Sequence, residues 1–193
     1  MSKLQVDQVS KTTAGADTFV LPASDGTVGQ LMKTDGAGQL GWATDTGGLF
    51  SGYAIFADQK AQNTQGGTFT TGAWRQRDLN TTIANTDTTN ITLGTNDFTL
   101  LAGNYLIQWS FGVHGVYQNQ TQLHDGTSTI AIGTCNYAAE TVPATGETRV
   151  TPSTSTTYQI QHQCWSTKAS DGFGVASNYQ TEQYATVLIC KES

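Results

Sequence analysis

The sequence predicts an all-β protein, an antiparallel sandwich of the jelly-roll type preceded by a short extended N-terminal segment. Three observations predict it. Charged residues make up 12% of the 193 positions, about half the ~25% of an ordinary soluble chain. The polarity comes instead from Thr, Ser, Asn, Gln and Gly, which suit strands and tight turns and are poor helix formers. Apolar residues recur with period two, most clearly from Tyr105 to Val113, and turn signals separate such runs at short intervals. Roughly eight to ten short strands result, with no segment of helical period.

The length allows one domain plus a short appendage, and residues 1–48 are the appendage. Large apolar residues are sparse there, Leu4, Val6, Val9, Phe19 and Leu21 among them, and Gly, Thr, Asp and Ser lie between them. Such a segment cannot bury a core of its own as a monomer. One element is readable. Residues 31–34 and 39–42 flank Asp35-Gly36-Ala37-Gly38, a hairpin with a glycine-rich turn. The triplet Gly-Gln-Leu stands on both sides, at 29–31 and 38–40. Residues 43–51 read as a linker with Gly47-Gly48 at the boundary. The domains are therefore 1–48 and 49–193.

Strand follows strand in the second domain. Residues 53–57 are short and apolar, and residues 62–74 are a polar, glycine-bearing loop or edge. Ile91 and Leu93 alternate with threonines, and Phe98 and Leu100 lead into the turn Ala102-Gly103-Asn104. In the clearest strand Tyr105, Ile107, Trp109, Phe111 and Val113 share one face, with Leu106, Gln108, Ser110, Gly112 and His114 on the other. Thr121 and Leu123 form a further strand ended by Asp125-Gly126, and Ile130 and Ile132 begin another. Residues 142–147, with Pro143 and Gly146, read as a loop. Tyr158, Ile160, His162 and Cys164 alternate with Gln159, Gln161, Gln163 and Trp165, and the last strand spans 184–190.

That last strand is apolar on both faces. Ala185, Val187 and Ile189 lie on one, Tyr184, Leu188 and Cys190 on the other. A sandwich strand ordinarily turns one face to water, so the second face needs a partner, either a neighbouring subunit or a loop of the same chain. The subunit contact is expected on Tyr105, Ile107, Trp109, Phe111, Tyr184 and Leu188, although the aromatic face would serve equally as the core between the sheets.

Composition also excludes functions. A net charge of −6 and a pI near 4.8 repel a phosphate backbone, so no nucleic-acid partner is expected. No stretch approaches the ~20 apolar residues of a membrane helix, and the N-terminus lacks the apolar centre of a signal peptide, so membrane insertion is not expected. Three cysteines, Cys135, Cys164 and Cys190, leave at least one thiol unpaired and fit a reducing cytoplasm.

Catalytic and metal motifs are missing. His114, His124 and His162 stand at no ligand spacing, and His162 is expected as a satisfied, partly buried side chain. The cysteines sit in the rhythm of strands as small apolar residues. No G-x-S-x-G occurs, and nothing pairs two of the carboxylates Asp58, Asp78, Asp125, Glu140, Glu147, Asp171 and Glu182. No enzymatic activity, cofactor or metal is expected. Trp74, Arg75, Arg77 and Asp78 form a compact cluster, expected to resolve into an internal ion pair of Arg77 with Asp78 or another acid, and a packed Trp74, with ligand contact by the aromatic face and arginine as the alternative. Tyr117, Tyr137, Trp165 and Tyr179 fall near strand ends or loops among Asn and Gln. They are candidates for ligand contact, stacking on sugars or packing on a partner, with packing under the loops as the alternative.

Four runs carry a family likeness: YAIFADQKAQNTQGGTFTTGAWRQRDLNT, FTLLAGNYLIQWSFGVHGV, TTYQIQHQCWSTKASDGFG and TEQYATVLICK. Together, over residues 50–192, they resemble a domain of phage tail fibres and virion structural proteins that is similar to the globular head of the first complement component and to the tumour necrosis factor fold. The resemblance implies a TNF-like jelly roll that assembles as a tight homotrimer. The run VLPASDGTVGQLMKTDGAGQLGW resembles a segment of phage fibre proteins and implies a short N-terminal stem, with Leu4, Val6, Val9, Phe19 and Leu21 as its attachment residues. The stem shows no shaft repeats, so a short spike, a capsid-surface fibre or a small adaptor is implied as readily as a long tail fibre. The implied function is a virion structural protein, made in the host cytoplasm. Its N-terminus would join other virion proteins, and its head would project toward host surface glycan or protein. The rival is a capsid or tail decoration protein that stabilises the particle and touches no receptor.

Overall fold

A computed structural model describes residues 6–10, 18–45 and 48–193. The chain divides into two compact units, residues 1–48 and 49–193. Leu4 lies outside the described residues.

In the first unit β1 (Gln8–Ser10) pairs antiparallel with β2 (Thr18–Val20), which sets Val9 opposite Phe19. A hairpin follows, β3 (Gln30–Thr34) and β4 (Leu40–Thr44). Its turn is built by Asp35, whose carboxylate accepts the N–H of Ala37 at 2.7 Å and of Gln39 at 3.0 Å. Gly36 and Gly38 take φ of +81° and +92°, a region costly for side chains with a Cβ. No residue whose burial is described in this unit is buried. Val6, Val9, Phe19, Leu31 and Met32 are all exposed. These are strands without a core, as sparse apolar residues dictate.

The second unit runs β5 (Phe50–Lys60), β6 (Arg75–Gln76), β7 (Thr81–Asn85), β8 (Ile91–Leu93), β9 (Phe98–Leu100), β10 (Tyr105–Val113), β11 (Tyr117–His124), β12 (Thr129–Ile132), β13 (Asn136–Ala138), β14 (Val142–Val150), β15 (Thr156–Cys164) and β16 (Glu182–Glu192). Five strands form one sheet in the order β14-β10-β16-β5-β7. The other sheet runs β12-β11-β15-β9-β8, with β13 also on β11 and β6 on β15. All these pairings are antiparallel. The C-terminal strand threads between β10 and β5, so neighbours in space are distant in sequence, which makes the unit a jelly roll. The described residues contain no helix.

The core lies between the sheets. Tyr105, Ile107, Trp109 and Phe111 are buried within it, against Phe56, Phe98, Leu123, Ile160, Val187 and Ile189. This corrects the expectation that these four side chains make the subunit contact, because one chain's own opposite sheet already removes them from water. Tyr184 is buried too, its hydroxyl donating to the Thr64 carbonyl at 2.7 Å. Of the six expected contact residues, Leu188 remains on the outer face.

Two readings of loops also change. Residues 142–147 belong to the nine-residue strand β14. It is an edge strand, where a proline costs no ladder bond, and Gly146 sits opposite Trp109, where a Cβ would overlap the indole. The linker reading of 43–51 is too long, since β4 ends at Thr44 and β5 begins at Phe50.

Candidate functional site

Two surfaces of the second unit stand out, one on each sheet. The register of the five-stranded sheet defines the first. Leu106 pairs with Cys190, which pairs with Tyr53; Leu188 pairs with Ile55 one row on. These side chains alternate with the core residues of the same strands, so they point away from the core. Tyr53 is 41% exposed, and Ile83, bulged out of β7, is 48% exposed. Polar pairs rim this apolar centre. Arg149 reaches Glu192 through two N–H groups at 2.6 and 2.7 Å, and Gln108 donates to Glu147 at 3.1 Å.

The second surface is a groove of about 380 Å3 on the other sheet. Trp165 follows β15, two residues past Gln163, and Trp74 precedes β6, where the register carries it across from Gln163. Gln163 pairs with Gln120 of β11, and Gln118 stands beside it where its backbone carbonyl accepts the backbone N–H of Trp165 at 2.8 Å. Asn119, Asn136, Cys135 and Cys164 complete the lining. Period two generates this surface. In TYQIQHQCW and YQNQTQLH every second residue faces the core, and the glutamines between them face out, Gln122 excepted, which is buried. A second amide row, Gln122–Gln161–Gln76, is closed by its own bonds: Gln122 donates to Gln161 at 2.7 Å, and Gln76 donates to the Asn96 carbonyl at 2.9 Å.

Of the expected ligand contacts, Trp165 lines the groove at 71% exposure. Tyr117 and Tyr137, next to Gln118 and Asn136 in sequence, pack against each other with tilted rings, centroids 5.6 Å apart. Tyr179 is exposed on a separate loop near Glu182 and does not line the groove. Trp74, expected to be packed, is 36% exposed and does line it. Its place could not be read from the sequence, because only the β6–β15 pairing brings residues 74 and 163 together.

Behind the groove lies a buried polar chain. Arg77 is withdrawn from water and makes no ion pair with Asp78, which instead meets Lys60 at 3.1 Å. The Arg77 guanidinium lies 4.1 Å from the Phe173 ring centroid and 4.9 Å from that of Phe111, and donates to the Gly112 carbonyl. Burial pushes its pKa down to about 9, so it is still charged at neutral pH. It also reaches His162, whose other ring nitrogen meets Asn119 in the floor of the groove. His162 is thus satisfied and, against expectation, fully buried.

No cluster of three or more His, Cys, Asp or Glu suited to a metal occurs among the described residues. No described helix is long and apolar enough to cross a membrane. The cysteines are free thiols. Burial pushes the Cys164 thiol up to about 11 and raises that of Cys190, while Cys135 is exposed.

No protein-family model matches the sequence, and no curated protein matches it. Similar solved structures include murine APRIL at pH 5.0, with 7% identity, 72% of this chain and 98% of that chain covered, and a TM-score of 0.48. Another is the globular domain of zebrafish complement 1qA, with 11% identity, 72% and 93% covered, and a TM-score of 0.42.

Proposed function

We propose that this chain is a non-enzymatic structural protein of a bacteriophage particle, a homotrimer whose residues 1–48 attach it to other virion proteins and whose jelly-roll head projects toward the host surface. The observation that carries self-association is the outer face of the five-stranded sheet. Leu188, Ile55, Leu106 and Tyr53 form an apolar centre with a polar rim, the anatomy of a protein interface. Copies of this chain cover it in this reading. The number three and the phage particle come from the sequence resemblance, as does the virion as the place of action after synthesis in the host cytoplasm.

The first unit fits the role of anchor. It exposes Val6, Val9, Phe19, Leu31 and Met32, apolar side chains that gain from burial against a partner. Light scattering on the full chain tests the assembly. A mass three times that of the chain is expected, and a monomer would remove the fibre reading. Particles assembled with residues 49–193 alone should lack the protein; incorporation of that fragment would remove the anchoring role of residues 1–48.

A further inference from the structure

We propose that the groove lined by Trp74 and Trp165 binds a neutral oligosaccharide. This rests on the host-surface reading above and names the ligand class for it.

Two indoles give the groove a flat, apolar wall. Trp74 and Trp165 present partly free indole faces, and an indole carries an apolar body with one polar handle. That matches a sugar ring, which shows C–H bonds on its face and hydroxyls on its edge. Neither indole N–H has a hydrogen-bond partner among the described residues, so each is open to a hydroxyl.

Beside the indoles lie amides rather than charges. The Gln118 and Gln163 side chains have no hydrogen-bond partner among the described residues. Each offers two donors and an acceptor, the complement of hydroxyls that both give and take. Gln120 spends an N–H on the Gly133 carbonyl at 2.9 Å and keeps its oxygen open. An acidic saccharide would find no lysine or arginine in the lining.

The floor is fixed in advance, which lowers the ordering cost of binding. Asn119 donates to the Tyr117 carbonyl at 2.9 Å and accepts from His162 at 3.0 Å. Asn136 donates to the Pro143 carbonyl at 2.8 Å and accepts the Tyr137 N–H at 2.8 Å. The volume falls within the range of small-ligand sites, about 300–1,000 Å3. The groove lies on the sheet opposite the self-association face, so three copies would leave three sites open to act together.

The test applies the full-length protein to an array of neutral oligosaccharides with gluco-, galacto-, manno-, rhamno- and N-acetylhexosamine linkages, and acidic oligosaccharides as the comparison. Binders are then titrated up to about 10 mM, which captures a millimolar Kd. Tryptophan emission and the alkylation rate of Cys135 are the readouts. At least one neutral saccharide should shift the emission and slow Cys135 alkylation, with Kd raised about tenfold in W165A and in Q163A. No neutral binder, a preference for acidic saccharides, unchanged binding in both variants, or Cys135 protection that follows protein concentration alone would each overturn the proposal. Light scattering on the same samples separates the two readings. A monomer that binds sugar removes the trimer and leaves the groove, and a trimer that binds none does the reverse.

Discussion

Nη1 of Arg77 lies 2.8 Å from Nδ1 of His162, and both side chains are withdrawn from water. A guanidinium only donates, so Nδ1 must be the bare nitrogen, and the N–H on Nε2 is the one that meets Asn119 Oδ1 at 3.0 Å. The pair fixes one neutral tautomer. Protonation would point a second N–H at the arginine inside the core. Burial first, and then the Arg77 charge, hold the His162 pKa well below its ordinary value.

This makes the fold acid-sensitive in a known direction. The unfolded chain takes up a proton at His162 near pH 6.5, and the folded chain does not. Stability from this site is complete above that pH and drains as pH falls from there toward the depressed folded value. Urea midpoints at pH 7.5 and pH 5 should therefore differ more in the wild type than in H162Q, which cannot titrate. Equal differences would mean that His162 is not the titrating group.

On the outer face, Leu188 should control assembly. L188D leaves the core untouched, since Leu188 points away from it, and sets a charge where two copies would meet. Desolvating that unpaired charge costs several kcal/mol. Light scattering should show monomer while circular dichroism stays that of the wild type. Cys190 supplies a second readout on the same face. Its alkylation, slow in the assembled wild type, should speed up in L188D. A trimer that survives L188D would place the contact elsewhere.

The strands were legible where burial alternates. Tyr105–Val113 and Thr156–Cys164 follow period two along their length. The hairpin at residues 30–44 was legible too, because Asp and Gly specify their own turn. Partners were not. The aromatic face of β10 has one pattern whether it meets its own second sheet or a neighbour, and only closure of the sandwich decides. Arg77 beside Asp78 looked like an ion pair, yet just past β6 the chain carries Arg77 inward to Phe173 and His162 and leaves Asp78 to Lys60. The groove needs residues 74, 118 and 163 from three chain segments, which no local pattern links.

Gly146 should tolerate no side chain. In β14 it faces Trp109, and an added Cβ would overlap the indole ring. Trp109 cannot move aside freely, because its N–H donates to the Thr121 hydroxyl at 2.9 Å inside the core. G146A should cost about 1–3 kcal/mol through overpacking, read as a lower urea midpoint at an unchanged slope. A midpoint within error of the wild type would mean that the edge strand yields instead.

Glu182 should hold two loops as one body. Only 3% exposed, its carboxylate accepts the Ser177 N–H at 2.8 Å, the Ser177 hydroxyl at 2.9 Å, the Asn178 N–H at 2.8 Å and the Asn63 N–H at 3.2 Å. The Ser177 N–H leads these bonds in drawing the Glu182 pKa below its ordinary value. Stability from this site is full above about pH 4.3 and is lost as pH falls from there through the depressed folded value. E182Q turns one acceptor into an NH2 that meets N–H donors. Hydrogen exchange should then quicken at the amides of Asn63, Ser177 and Asn178 at neutral pH, carrying the exposed Tyr179 loop with them. The amides of β10 should keep their wild-type protection, since its core contacts do not include this carboxylate. Unchanged exchange at all three loop amides would show that the loops are held by Gln62 and Gln65, which bond Asn178 at 2.6 Å and Ala176 at 2.8 Å.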